Sequence, residues 1–141
     1  MPISREHHHG LLLCWKIRNG LKKKIDPKRI KIYTDWFWQT YLIQHFEIEE
    51  KYIFSVLDNK HELVLKALAE HRRLRRLFES KDDYLKKLYL IEEELESHIR
   101  FEERILFEEI QNKATTKQIE QIEKYHSDDH FTDNLNDPFW E

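Results

Sequence analysis

Six side chains in this sequence are of the types that hold transition metals: His7, His45, Glu49, His71, His98 and Glu102. Two pairs follow the pattern His-x-x-x-Glu, His45 with Glu49 and His98 with Glu102. Residues four apart on an α-helix stand one above the other on one face, so each pair aims an imidazole and a carboxylate at a single point. Imidazole nitrogen and carboxylate oxygen suit a divalent or trivalent transition metal. A polar network within the core, or exposed helix faces, is the alternative for the same residues.

Burial is what separates these readings. All six sit on otherwise apolar stripes, and each buried polar group left without a partner costs roughly 1–3 kcal/mol, an ionised carboxylate more. Six of them would offset most of a net stability of about 5–15 kcal/mol. Bound cations would remove that penalty, and helical bundles commonly place such ligands on facing helices.

The stripes define the elements that must position these groups. The first helix runs from about Ser4, a candidate N-cap, to Lys24, with Gly20 weakening its end; His7, Leu11, Cys14, Ile17 and Leu21 share one face. Asp26 caps the second helix with Pro27 in its first turn. That helix reaches about Leu57, with Trp38, Tyr41, Leu42, His45, Ile48, Glu49, Tyr52 and Val56 inward, and Asp58-Asn59 makes the turn. The third carries Val64, Leu68, His71, Leu74 and Phe78. Ser80, in the polar break at 80–83, is a candidate cap for the fourth, which carries Leu88, Ile91, Leu95, His98, Glu102, Ile105 and Leu106 and ends near Asn112. A shorter helix starts at Thr115 or Thr116 and runs through Ile119 and Ile122. The pattern predicts an all-α, up-down-up-down antiparallel four-helix bundle with a short additional C-terminal helix, in one domain over residues 1–141.

Counting turns tests whether the six groups share a depth. His7 lies about 18 residues before the first break and His45 about 20 after it, a mismatch of ~3 Å. His45 and His71 are each about 13 residues from the second turn. His71 is about ten residues before the third break but His98 about sixteen after it, a mismatch of ~9 Å. Either the third helix runs past residue 80, or the connection descends before the fourth begins.

Composition excludes several classes. With 2 Gly and 3 Pro in 141 residues the chain lacks the turn residues of an all-β protein. A net charge of −3 gives no general affinity for nucleic acid or an anionic membrane. The basic run Lys22, Lys23, Lys24, Lys28, Arg29 and Lys31 is read as a solvated loop, with an anion-binding patch as the alternative. No apolar stretch approaches the ~20 residues of a membrane span, no signal peptide is visible, and the lone Cys14 has no intrachain disulfide partner. A cytoplasmic, soluble protein is expected.

The order of the motifs resembles the hemerythrin-like HHE cation-binding domains. The residues that carry this are Ser4-Arg5-Glu6-His7-His8, His45-Phe-Glu-Ile-Glu49, His71, and His98-Ile-Arg-Phe-Glu102-Glu103, so it covers residue 4 to about 112. The resemblance implies two non-haem iron ions, oxo- or hydroxo-bridged, with Glu49 and Glu102 bridging as well. His7, His45, His71 and His98 would terminate the pair, leaving room for dioxygen or a related small ligand. The sequence departs from the oxygen-carrying members: Arg75 stands where they have a second histidine one turn after His71, and Glu102 where they have aspartate. That points away from oxygen storage toward sensing, redox chemistry or iron handling. A di-iron oxidoreductase or iron-donating repair factor is one alternative, and a metal-free helical interaction module using Trp36 and Phe37 another.

Other candidates carry weaker expectations. His8 is the alternative to His7 as ligand, and His9 is expected in solvent. His61 is expected on the surface. Glu50 and Glu103 lie about 100° round the helix from their neighbouring carboxylates, which suits support behind the ligands or solvent. Tyr41 and Tyr52 are expected in the core, with a bond to a ligand possible in principle. His126, Asp128, Asp129, His130 and Asp133 could form a small second metal site, although such tails are more often mobile.

Overall fold

The computed structural model describes residues 3–126 and 131–141, and every element among them is helical. Helix α1 spans Ile3–Lys22, with Ser4 inside it rather than capping it. It ends two residues earlier than expected: Ile25 N–H reaches the Gly20 carbonyl and Lys24 N–H the Leu21 carbonyl. Lys24 sits between them in the left-handed conformation, φ 58°, the position where helices usually place glycine.

Asp26 then starts α2 as expected, accepting from Lys28 N–H at 3.0 Å with Pro27 in the first turn. Helix α2 (residues 27–56) is continuous but unevenly wound. It is α-helical over Pro27–Phe37 and Ile43–Ile48, π-helical over Trp38–Leu42 and Glu49–Ile53, and 3-10 over Phe54–Val56. Helix α3 is Glu62–Glu79. Helix α4 (residues 84–113) is α-helical over Tyr84–Phe101, makes a π turn over Glu102–Leu106, and continues over Phe107–Lys113. Helix α5 is Thr116–His126.

Each π turn adds a residue to its helical turn and rotates everything beyond it. This corrects the inner stripes. Beyond Glu49 the buried residues are Ile53, Phe54 and Leu57, while Tyr52 and Val56 are only half-buried. Beyond Glu102 they are Leu106, Phe107 and Ile110, and Ile105 is 51% exposed. An unbroken 3.6-residue period misses this shift.

The turn after α3 resolves the mismatch in height. Helix α3 stops at Glu79, so it does not run past residue 80, and Ser80 follows in extended conformation. Helix α4 begins only at Tyr84, so the difference in height is taken up in the connection 80–83 and not by a longer α3. Ser80 therefore ends α3 rather than capping α4. Its hydroxyl bonds Asp82, and the residue before α4 is Asp83, left-handed at φ 47°. His61, expected on the surface, caps α3 by accepting from Leu63 N–H at 3.1 Å.

The apolar interior has two parts. One holds Leu13, Cys14, Ile17, Phe37, Leu88 and Ile91 among others; the second holds Ile53, Phe54, Val64, Leu106, Phe107 and Ile122. Burial pushes the Cys14 thiol up to about 12, which keeps it protonated and inert. Among the described residues no helix is long and apolar enough to cross a membrane.

Residues 131–141 fold back across α1 and α2. Phe139 and Trp140 are buried, the Trp140 carbonyl accepts from Asn19 and Lys23, and Arg29 pairs with Asp137 through two bonds. Lys16, buried in α1, bonds both Tyr33 and Asp133. Much of the basic run is thus engaged within the chain: Lys31 is buried as well, bonded to Asp35 and the Phe78 carbonyl. Phe131 packs near Trp36, Phe37 and Tyr41, so Phe37 is buried and Trp36 half-buried, against the expectation that they face a partner.

Gly20 is the seat of this returning segment. A Cβ there would lie 2.8 Å from the Phe139 ring and 3.0 Å from Ile30 Cδ1. Overpacking costs typically ~1–3 kcal/mol, while glycine to alanine in a helix gains up to ~1 kcal/mol. Gly20→Ala is expected to destabilise the chain by about 1 kcal/mol in urea unfolding, yet to stabilise a Phe139→Ala background. The same sign in both backgrounds would contradict this contact.

Candidate metal centre

The residues between the two apolar parts are the six singled out by type and spacing. His7 comes from α1, His45 and Glu49 from α2, His71 from α3, and His98 and Glu102 from α4. None is more than 7% exposed. His8, by contrast, is exposed, so α1 turns His7 and not His8 inward. His9 is half-buried rather than solvated, stacked on Phe131 at 4.3 Å with Tyr41 at its edge.

Their donor atoms converge. Glu49 presents Oε2 to His7 Nε2 at 3.4 Å and Oε1 to His45 Nε2 at 3.5 Å and His71 Nε2 at 3.4 Å. Glu102 presents Oε1 to His71 Nε2 at 3.7 Å and to His98 Nε2, and Oε2 to His7 Nε2 at 3.8 Å. Each carboxylate therefore faces histidines of three helices. Two groups each have their donor atoms within 4.8 Å of one another, Glu49-His71-His98-Glu102 and His7-His45-Glu49, and the groups share Glu49.

His7 Nε2 and Glu49 Oε2 are within hydrogen-bonding distance at 3.4 Å, but other donor atoms of the site are not so paired. His71 Nε2, His98 Nε2 and both Glu102 oxygens are buried without a hydrogen-bond partner. Such atoms are rarely left so unless something else completes them. Nitrogen and carboxylate oxygen donors aimed at a common point are what a transition ion requires, so the residues present fit a metal.

The electrostatics agree. Burial pulls the His98 imidazole down, but the Glu102 carboxylate and Glu70 outweigh it and push it up to about 9. Burial likewise pushes Glu102 up, and the neighbouring His98 cation overrides that and holds it well below the usual carboxylate range. A positive charge is needed at this point, and a proton on His98 can supply it when no metal does.

The π turns set the geometry. Glu49 and Glu102 each open one, and their carbonyls accept from Phe54 and Phe107 N–H five residues on. A third π turn, Trp38–Leu42, precedes His45. π turns within α-helices occur frequently at functional sites. Tyr41, expected in the core, is half-buried at its edge, its ring nearly parallel to His45 at 5.8 Å.

Sequence reasoning missed one contributor. Glu70 Oε1 lies 2.6 Å from His98 Nδ1, and Glu50 Oε2 lies 2.8 Å from His71 Nδ1. Glu50 was expected to stand behind the ligands or in solvent, whereas nothing marked Glu70 except its place beside His71. Of the tail residues considered as a second site, Asp128, Asp129, His130 and the side chain of His126 lie outside the described residues. Asp133 is engaged with Lys16 and Tyr33.

A model of one family, the hemerythrin HHE cation binding domain, matches residues 3–110. No curated protein and no solved structure matches the chain.

A polar network kept for stability and a site kept for metal differ when no metal is present. Replacing a buried ionic cluster by apolar residues of similar size is often stabilising by about 1–4 kcal/mol. A variant with the whole cluster replaced, the four histidines by Leu and Glu49 and Glu102 by Met, is expected to melt higher than the parent chain when both are metal-free. A lower melting temperature would mean that the polar cluster serves the core.

Proposed function

This chain belongs to the hemerythrin HHE cation-binding family, and on that premise we propose that it is a non-haem di-iron protein. Its four long helices are read as an up-down-up-down antiparallel bundle in one domain, with α5 appended. Glu49 and Glu102 would be shared between the two ions, and His7, His45, His71 and His98 would complete the set that holds them. The observation that carries the reading is the set of buried, convergent nitrogen and oxygen atoms left without hydrogen bonds.

Bound there, an iron pair supplies a redox-active Lewis acid able to exchange electrons with a small oxidant. The chain's own residues limit what can approach. A cavity of about 10 Å³ borders His7, Gly10, Tyr41, His45 and Glu102, space for about one water-sized molecule. A site this confined favours small ligands over larger substrates. Ile99 narrows it, since a Cβ on Gly10 would lie 2.7 Å from Ile99 Cδ1.

Reversible oxygen storage is disfavoured by Arg75, which is exposed and paired with Glu79 at 3.2 Å, and so offers no donor one turn after His71. Sensing, redox chemistry or iron handling suits this donor set better, and a di-iron oxidoreductase or iron-donating factor is the second reading that the same departure supports.

The test is ligand removal. Glu49→Ala and Glu102→Ala, made in iron-replete medium, are each expected to lose at least one iron per chain and the near-ultraviolet absorption of a coupled iron pair. Retention of iron content and spectrum in either variant would overturn the assignment.

A further inference from the structure

Residues 131–141 lie on α1 and α2 in the way a bound peptide lies on its receptor. They form no helix or strand, and what holds them is contact with those two helices. Phe139 and Trp140 are buried anchors. The Arg29 guanidinium donates two bonds to Asp137, at 2.9 and 2.7 Å, and Lys16 Nζ donates to Asp133 at 2.5 Å. The Trp140 carbonyl accepts from Asn19 and Lys23. Buried aromatic anchors flanked by opposed charges are the usual parts of a recognition surface.

The two helices are shaped and charged for this occupant. Gly20 leaves the space that the Phe139 ring fills, since a Cβ there would lie 2.8 Å from it. Lys16 is only 3% exposed, and among the described residues its one anionic partner is Asp133. Its ammonium also stands 4.1 Å from the centre of the Trp140 ring, an attraction strengthened by burial. The segment carries three acidic residues and no basic one, and the cations it meets belong to α1 and α2.

We propose that the surface formed by α1 and α2 is a peptide-recognition site for an acidic segment carrying paired aromatic residues, that residues 131–141 are its resident occupant, and that the same segment of a second copy can take their place. Exchange of an identical element between copies is a low-cost route to association, because the contacts are the same in either arrangement. A tethered occupant competes at an effective concentration of about millimolar. The chain's own segment therefore holds the site until its anchors are weakened. The inference is independent of the metal-binding reading.

The probe is a fluorescein-labelled peptide of residues 131–141, with binding to the full chain followed by anisotropy. The variant Phe139→Ala, Trp140→Ala keeps the surface and loses the resident anchors, so it is expected to bind the peptide at least about tenfold more tightly than the parent chain does. Adding Lys16→Met should weaken that binding at least about tenfold, because it leaves the peptide's Asp133 without its cation. Adding Arg29→Glu instead should weaken it about threefold or more, since this pair is exposed, and a peptide carrying Asp137→Lys should restore the loss. Asp137→Lys in the chain itself repels Arg29 without touching the packing, and it should also open the surface to the unaltered peptide. Circular dichroism is expected to show parent helix content in Phe139→Ala, Trp140→Ala. Loss of the helices would mean that the segment belongs to the core, and would overturn the proposal. Peptide binding no tighter to that variant than to the parent, or indifferent to both Lys16→Met and Arg29→Glu, would overturn it equally.

Discussion

The rest of the structure depends on two carboxylates, Glu49 and Glu102, buried completely at the level where four helices bring their imidazoles together. A carboxylate removed from water must be met by positive charge or by several hydrogen bonds, because the cost of leaving it alone exceeds what the surrounding packing can absorb. The Glu102 oxygens receive no hydrogen bond. Cationic partners must therefore come to them, and the histidines facing each carboxylate from three helices define where. Apolar packing on either side seals this layer, with Leu95 and Ile99 toward one end of the molecule and Phe54 and Leu106 toward the other.

Helix winding is the means by which the layer is built. At Glu49 and at Glu102 the backbone makes a π turn immediately after the His-x-x-x-Glu pair. Up to that point, ordinary α-helical geometry stacks histidine over glutamate. Beyond it, the rotated register keeps large apolar residues inward, so that Ile53 and Phe54 on α2 and Leu106 and Phe107 on α4 close the second part of the core. Lost α-helical hydrogen bonding at these turns is exchanged for a pair of carboxylates aimed inward at the same height.

How far this was legible in the sequence follows from the range of each interaction. The His-x-x-x-Glu pairs and the stripes through His7 and His71 are local, set by a 3.6-residue period, and all six residues lie together in the fold. Asp26 with Pro27 announced the start of α2 by chemistry confined to three residues. The π turns left no such mark, so Tyr52, Val56 and Ile105 were placed inward when the rotated register turns them outward or to the margin. Glu70 escaped notice because its role depends on where α4 lies beside α3, which no spacing within α3 reveals. The returning segment, residues 131–141, carries no periodic signal. Its anchorage on Gly20 and Lys16 joins residues more than a hundred positions apart, which periodicity cannot report.

Metal content measured on the unaltered chain, purified from iron-replete cells, tests the central claim most directly, together with an optical spectrum before and after exposure to air. Close to two irons per chain, with near-ultraviolet absorption that grows on exposure to air, is the result this account requires. A fully folded chain that carries no iron and shows no change in air would contradict it.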